Sequence, residues 1–106
     1  MDIKIEERPP FRVLHLSGDV DLHSSPSARE VILDCLKQKK PLLVELSAVT
    51  YMDSSGVASL VEGYQTARKQ GLGFGLVAVA QSAMNALKLA RLDKVFPIYA
   101  SFEDVA

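Results

Sequence analysis

The chain has 106 residues, 48% of them hydrophobic and 24% charged, and twelve Lys/Arg against thirteen Asp/Glu leave a net charge of −1. That length and apolar content suit one compact domain over residues 1–106 and exclude a disordered chain. The near-neutral balance, with no Lys/Arg run longer than two residues, argues against a nucleic-acid surface. The apolar stretch from Leu76 to Ala80 is far short of the ~20 residues of a membrane span. Met1-Asp2-Ile3-Lys4 offers no apolar leader, so a cytoplasmic location without membrane insertion is expected. The single Cys35 excludes an internal disulfide, and its place on a helical apolar stripe makes it a core thiol.

Pro9-Pro10 separates two strand-like runs, the alternating Ile3-Lys4-Ile5-Glu6 and Phe11 to Leu16, and Gly18 closes the second. A polar loop from Asp19 to Pro26 comes next, in which Ser25 is placed to cap a helix and Pro26 suits its first turn. Ala28, Val31, Ile32, Cys35 and Leu36 recur at helical spacing, and Lys37 to Lys40 before Pro41 ends that helix. Leu42 to Leu46 reads as a buried strand, with a turn running through Val49-Thr50-Tyr51-Met52 to Asp53-Ser54-Ser55-Gly56. Val57, Leu60, Val61, Tyr64 and Ala67 mark a second amphipathic helix that stops at Gly71. Gly73 to Val79 is a third strand of this alternation, Ser82 is placed to cap a third helix, and Phe96 to Ala100 forms a last short strand. Strands alternating with helices predict an α/β fold: a four- to five-stranded, mostly parallel mixed sheet with an antiparallel pair at one edge. Val31, Ile32, Leu36, Leu43, Val44, Leu60, Val61, Val77 and Leu87 are its expected core.

Little in the chain supports independent catalysis. The sequence has no phosphate-loop motif, and Gly71-Leu72-Gly73-Phe74-Gly75 opens a strand where a dinucleotide motif would follow one. His15 lies within a strand, His23 in a loop, and neither forms a recognisable dyad with Cys35. Asp19, Asp21 and Asp53 have the chemistry to hold a divalent ion, but solvated loop carboxylates are the simpler reading, so no metal site is expected. The distinctive segment is Tyr51-Met52-Asp53-Ser54-Ser55-Gly56-Val57, between an apolar strand and an amphipathic helix. Such turns gather at the carboxyl edge of a parallel sheet, where functional sites lie. Asp53 or Ser54 there reads as an ordinary N-cap, or the Ser54 hydroxyl reads as a phosphate acceptor whose product meets N–H donors and the helix dipole. The first parallel crossover brings this turn near Gly18-Asp19-Val20-Asp21.

Gly18-Asp19-Val20-Asp21 followed by Met52-Asp53-Ser54-Ser55-Gly56-Val57 resembles the STAS domain family, most closely its small single-domain anti-sigma factor antagonists. The resemblance extends over essentially the whole chain, including Gly71 and the segment from Leu89 to Phe96. It implies a single STAS domain with helices packed mainly on one face of the sheet. It further implies a phosphorylation-controlled protein–protein switch, not an enzyme, with no cofactor of its own. In such antagonists the serine directly after the aspartate, here Ser54, is phosphorylated by an anti-sigma factor that is itself a serine kinase. A serine phosphatase of the metal-dependent type resets the switch, and the unphosphorylated form binds the anti-sigma factor and frees the sigma factor. The resemblance places Asp21, Asp53, Ser54, Ser55 and Gly56 at the partner-binding surface, Ser55 and Gly56 allowing close approach. Ala58 stands where many antagonists carry glycine. Two other readings remain open: a STAS subunit of a lipid-transport ABC complex that docks on its ATPase without phosphorylation, and a nucleotide-binding module.

Overall fold

In the computed structural model, which describes residues 1–105, the element order is β1 (Asp2–Arg8), β2 (Phe11–Val20), α1 (Ser25–Lys37), β3 (Leu42–Met52), α2 (Ser54–Lys69), β4 (Phe74–Val77), α3 (Gln81–Leu89) and β5 (Ile98–Tyr99), with a short 3-10 turn at Phe102–Asp104. The five strands lie side by side in chain order. β1 runs antiparallel to β2, and every later neighbour is parallel. Because each parallel step advances in the same direction, right-handed crossovers put α1, α2 and α3 on one face.

The side chains obey that geometry with period two. Leu14, Leu16, Leu42, Val44, Leu46 and Leu76 face the helices, where Ala28, Ile32, Leu36, Leu60 and Leu87 meet them in the main core. The intervening Val13, Leu43 and Val77 point to the other face, against Phe11, Tyr99 and Phe102. Of the expected core, Val31 and Val61 are only half-buried, at the margins of their helical stripes, and the rest are buried.

Several boundaries differ from those the sequence suggests. β2 continues beyond Gly18 to Val20, and β3 continues beyond Leu46 to Met52, because the two strands keep pairing as far as Asp19 with Tyr51 and Val20 with Met52. Register shifts flank Gly18, whose φ of 82° suits a residue without a Cβ. β4 and β5 are shorter than expected, and β4 ends where Ala78 turns to a φ of 52°. Ser25 does not cap α1; the cap position is Ser24, whose side chain makes no cap bond because its hydroxyl donates to the Asp19 carbonyl at 2.8 Å. Ser82 does not cap α3 either. Its hydroxyl donates to the Val49 carbonyl at 2.8 Å, tying the first turn of α3 to β3, and Ala80 holds the cap position.

Candidate functional site

β3 delivers Asp53 to the carboxyl edge of the sheet in an extended conformation, with φ −106° and ψ −172°, and α2 starts at the next residue. One carboxylate oxygen of Asp53 accepts the amides of Ser55 at 2.9 Å and Gly56 at 3.2 Å, two of the donors a helix start leaves unpaired. The Ser55 hydroxyl donates to the same oxygen. That hydroxyl bond is the main reason the Asp53 carboxyl lies below its ordinary pKa; the Gly56, Ser55 and Leu22 amides add to it.

Ser54 is the exception in this turn. It is exposed, it occupies the first helical position, and no hydrogen bond holds its hydroxyl among the described residues. The turn therefore immobilises Ser55 and presents Ser54.

The turn after β2 is built from the same parts. One Asp21 oxygen accepts the amides of His23 at 3.0 Å and Ser24 at 3.1 Å and the Ser24 hydroxyl at 3.2 Å. The Ser24 amide leads the causes that hold the Asp21 carboxyl below its ordinary pKa, followed by the His23 amide. The two turns are joined: the Asp53 amide donates to the Val20 carbonyl at 3.2 Å, one residue before Asp21.

Asp21, Asp53, Ser54 and Ser55 come together along one edge, whereas Gly56 turns inward. It is buried, and a Cβ there would lie 2.8 Å from Met52 Cγ and 2.9 Å from the Val20 carbonyl oxygen. The absence of a side chain at Gly56 serves the seam between the two turns. One turn further along α2, the buried Ser59 hydroxyl reaches the carbonyls of Ser55 at 3.1 Å and Ser25 at 3.3 Å, locking α2 to α1.

The third loop aspartate goes elsewhere. Asp19 accepts the Thr50 hydroxyl at 2.6 Å, and no group of three or more His, Cys, Asp or Glu among the described residues is arranged to hold a metal ion. No helix among them is long and apolar enough to cross a membrane.

Sequence reasoning missed the apolar surroundings of Ser54. Leu22, the residue after Asp21, is 70% exposed, and Tyr51, two before Asp53, is 52% exposed. A groove of about 990 Å³ opens from Ser54 between α2 and α3, floored by Val57, Val61, Ala86 and Leu92 and rimmed by Leu89, which is 87% exposed. The available signal was Leu89, a large apolar residue off the Ala83–Leu87 stripe of α3.

Comparison with known proteins gives this geometry a context. The family model described as STAS domain matches residues 2–105. The anti-sigma-B factor antagonist of Bacillus subtilis is 27% identical over 90 residues, 85% of this chain and 83% of that protein. The anti-sigma F factor antagonist of Paenibacillus polymyxa is 24% identical over 101 residues, 93% of this chain and 86% of that protein. Among solved structures, an anti-sigma factor antagonist from Mycobacterium paratuberculosis superposes with a TM-score of 0.83 at 29% identity, covering 97% of this chain and 88% of the other.

Proposed function

The chain belongs to the STAS domain family, and from that membership we propose that it is an anti-sigma factor antagonist switched by phosphorylation of Ser54. The observation that carries this reading is the contrast between neighbouring hydroxyls: Ser55 is held by Asp53, while Ser54 is exposed and unbonded at the start of α2. The antagonist relatives favour this switch over the transporter-subunit alternative.

The partner is an anti-sigma factor that is also a serine kinase and brings its own nucleotide and magnesium. The Ser54 oxygen bonds to the γ-phosphorus of the nucleoside triphosphate, the bond to the leaving diphosphate breaks, and the hydroxyl proton passes to a base of the kinase. This chain supplies the positioned hydroxyl: Asp53 fixes the turn, and Asp21 adds negative charge beside it. Unphosphorylated, the domain binds the anti-sigma factor and frees the sigma factor; a metal-dependent serine phosphatase restores that form. This cycle belongs to the cytoplasm.

The test is to incubate the purified protein with each serine-kinase anti-sigma factor of its source genome and locate the phosphate by peptide fragmentation. Label on Ser54, lost in Ser54→Ala, is expected. Label on Ser55 that persists in Ser54→Ala overturns the assignment.

A further inference from the structure

β1 forms one border of the sheet and β5 the other, and the two differ in length. β5 has two residues, whereas β1 has seven, each paired with β2 without a register shift. At the rise of an antiparallel strand that is an edge of about 24 Å. Its backbone groups divide by parity. The Arg12 amide donates to the Pro41 carbonyl at 2.9 Å, so even positions of β2 turn towards β3 and odd ones towards β1. The register pairs those odd positions with Asp2, Lys4, Glu6 and Arg8, which leaves the amides and carbonyls of Ile3, Ile5 and Glu7 on the open border. A border of this kind is a template for another strand. Ile5, at its middle, is 52% exposed.

We propose that this edge pairs with the same edge of a second copy of the chain, antiparallel about a two-fold axis at Ile5, to make one continuous sheet. The charges along β1 select that occupant and that register. Centred on Ile5, Ile5 faces its own copy, Lys4 faces the partner's Glu6, and Asp2 faces the partner's Arg8. A slip of one residue would put side chains on the wrong faces. A slip of two sets like charges together: Asp2 against Glu6 and Lys4 against Lys4, or Lys4 against Arg8 and Glu6 against Glu6. Charged side chains ordinarily keep sheet borders apart; here they repel the neighbouring registers and admit one. Asp2 and Lys4 are exposed, and neither is in an ion pair among the described residues, so both charges are free to take the partner's. Glu6 holds His15 at 2.7 Å and Arg8 at 3.6 Å within its own chain, and the second copy adds a cation to that group. Glu7, which comes opposite Ile3, is balanced by Arg12 at 2.6 Å. Because Ser54 lies beyond β3, two strands in from the border, the pairing leaves it uncovered.

Sedimentation equilibrium over roughly micromolar to millimolar protein reads the association, since an edge of this length is small for an interface. Wild type is expected to dimerise. Ile5→Lys sets two cations across the axis and raises the dimer Kd at least about tenfold. Leu89→Glu, equally exposed to solvent but on α3, leaves it unchanged. Lys4→Glu and Glu6→Lys, each alone, place like charges opposite one another at both ends of the axis and weaken the dimer by a similar factor. Mixed in equal amounts, these two variants associate again, because both contacts then join opposite signs. Glu6→Lys also gives up its own His15 and Arg8 contacts, so circular dichroism accompanies each sample. If that variant does not fold, Asp2→Arg mixed with Arg8→Asp makes the same exchange. A monomer at every concentration overturns the proposal. So does a pair of folded variants that stay apart when mixed. A dimer that Leu89→Glu dissolves and Ile5→Lys does not would place the interface at the groove between α2 and α3, and the edge proposal fails.

Discussion

The two turns at the carboxyl edge of the sheet use one device to different ends. In each, an aspartate folds one oxygen back onto the amides two and three residues ahead and onto a serine hydroxyl. In each, the residue directly after the aspartate is left exposed: Leu22 in one, Ser54 in the other. The difference lies in where the helix begins. α2 begins at Ser54, so the positive end of its dipole lies at that side chain even though Asp53 holds the next two amides, whereas α1 begins only at Ser25. Turn geometry alone therefore presents a residue; it takes a helix start at that residue to make the presented position suit an anion. The same device exposes an apolar side chain on one side of the seam and an unbonded hydroxyl on the other.

Phosphorylating Ser54 stresses this difference most. The phosphate adds a charge of about −1.5 to −2 at neutral pH. The start of α2 favours it by roughly 0.3–1 kcal/mol at an exposed site, so the domain stays folded. Asp53 and Asp21 oppose it, and a docked partner must strip its water. An unpaired charge buried in an interface costs about 2–5 kcal/mol, a loss of affinity of 30-fold or more. The interface effect wins. Titration of the phosphorylated and plain forms against the anti-sigma factor is expected to show this gap while circular dichroism stays unchanged, with Ser54→Asp reproducing part of it. Equal affinities would mean that the presented hydroxyl is not a switch.

Next in size is the seam itself. Gly56→Ala places a methyl group 2.8 Å from Met52 Cγ and 2.9 Å from a backbone oxygen that is fixed by strand pairing. Overpacking of this kind costs typically about 1–3 kcal/mol. Thermal or urea unfolding measures it. A stability equal to wild type would mean that the two turns are not rigidly joined.

The symmetry of the turns invites a direct exchange. Leu22→Ser puts a hydroxyl in the matching place after Asp21, three residues before α1 begins. Because no helix start surrounds it, phosphopeptide mapping is expected to find label on Ser54 and none on residue 22. Label at residue 22 would make the aspartate turn sufficient and the helix start irrelevant.

Much of this arrangement was legible in the sequence because it is written in short-range chemistry. Period-two runs and helical stripes gave the order of elements, and Asp53-Ser54-Ser55-Gly56 at a strand-to-helix boundary marked the candidate site. The continuation of β3 to Met52 was hidden because Ser47, Ala48, Thr50 and Tyr51 are exposed, which removes the alternation while the backbone still pairs with β2. Gly56 looked like an allowance for a partner, yet its constraint comes from Val20, more than thirty residues away and across the seam. The groove depends on the gap between α2 and α3, which is fixed by long-range contacts such as the Ser82 bond to Val49, and no local pattern reports it.

The smallest expected effect separates the two aspartates by pH. Both carboxyls lie below the ordinary aspartate value of 3.8 in the folded chain, Asp53 first through the Ser55 hydroxyl and Asp21 first through the Ser24 amide. A depressed carboxyl stabilises the fold above its unfolded pKa, and that contribution disappears as pH falls through the folded value. The window is therefore acidic, from about pH 4 downward. Asp53→Asn and Asp21→Asn each keep an oxygen that accepts the same amides but carry no charge. The melting temperature of wild type is expected to exceed that of either variant at pH 6, and each difference should shrink as pH drops below 3.8. Glu6 and Glu7, held down mainly by His15 and Arg12, titrate alike in every variant and cancel from the differences. The Asp53 difference should be the larger, because its carboxylate faces the dipole of a helix that starts at the next residue and the Asp21 carboxylate faces a turn. Equal differences at both positions would mean that the two turns are electrostatically alike, leaving the residue type as the whole distinction between them.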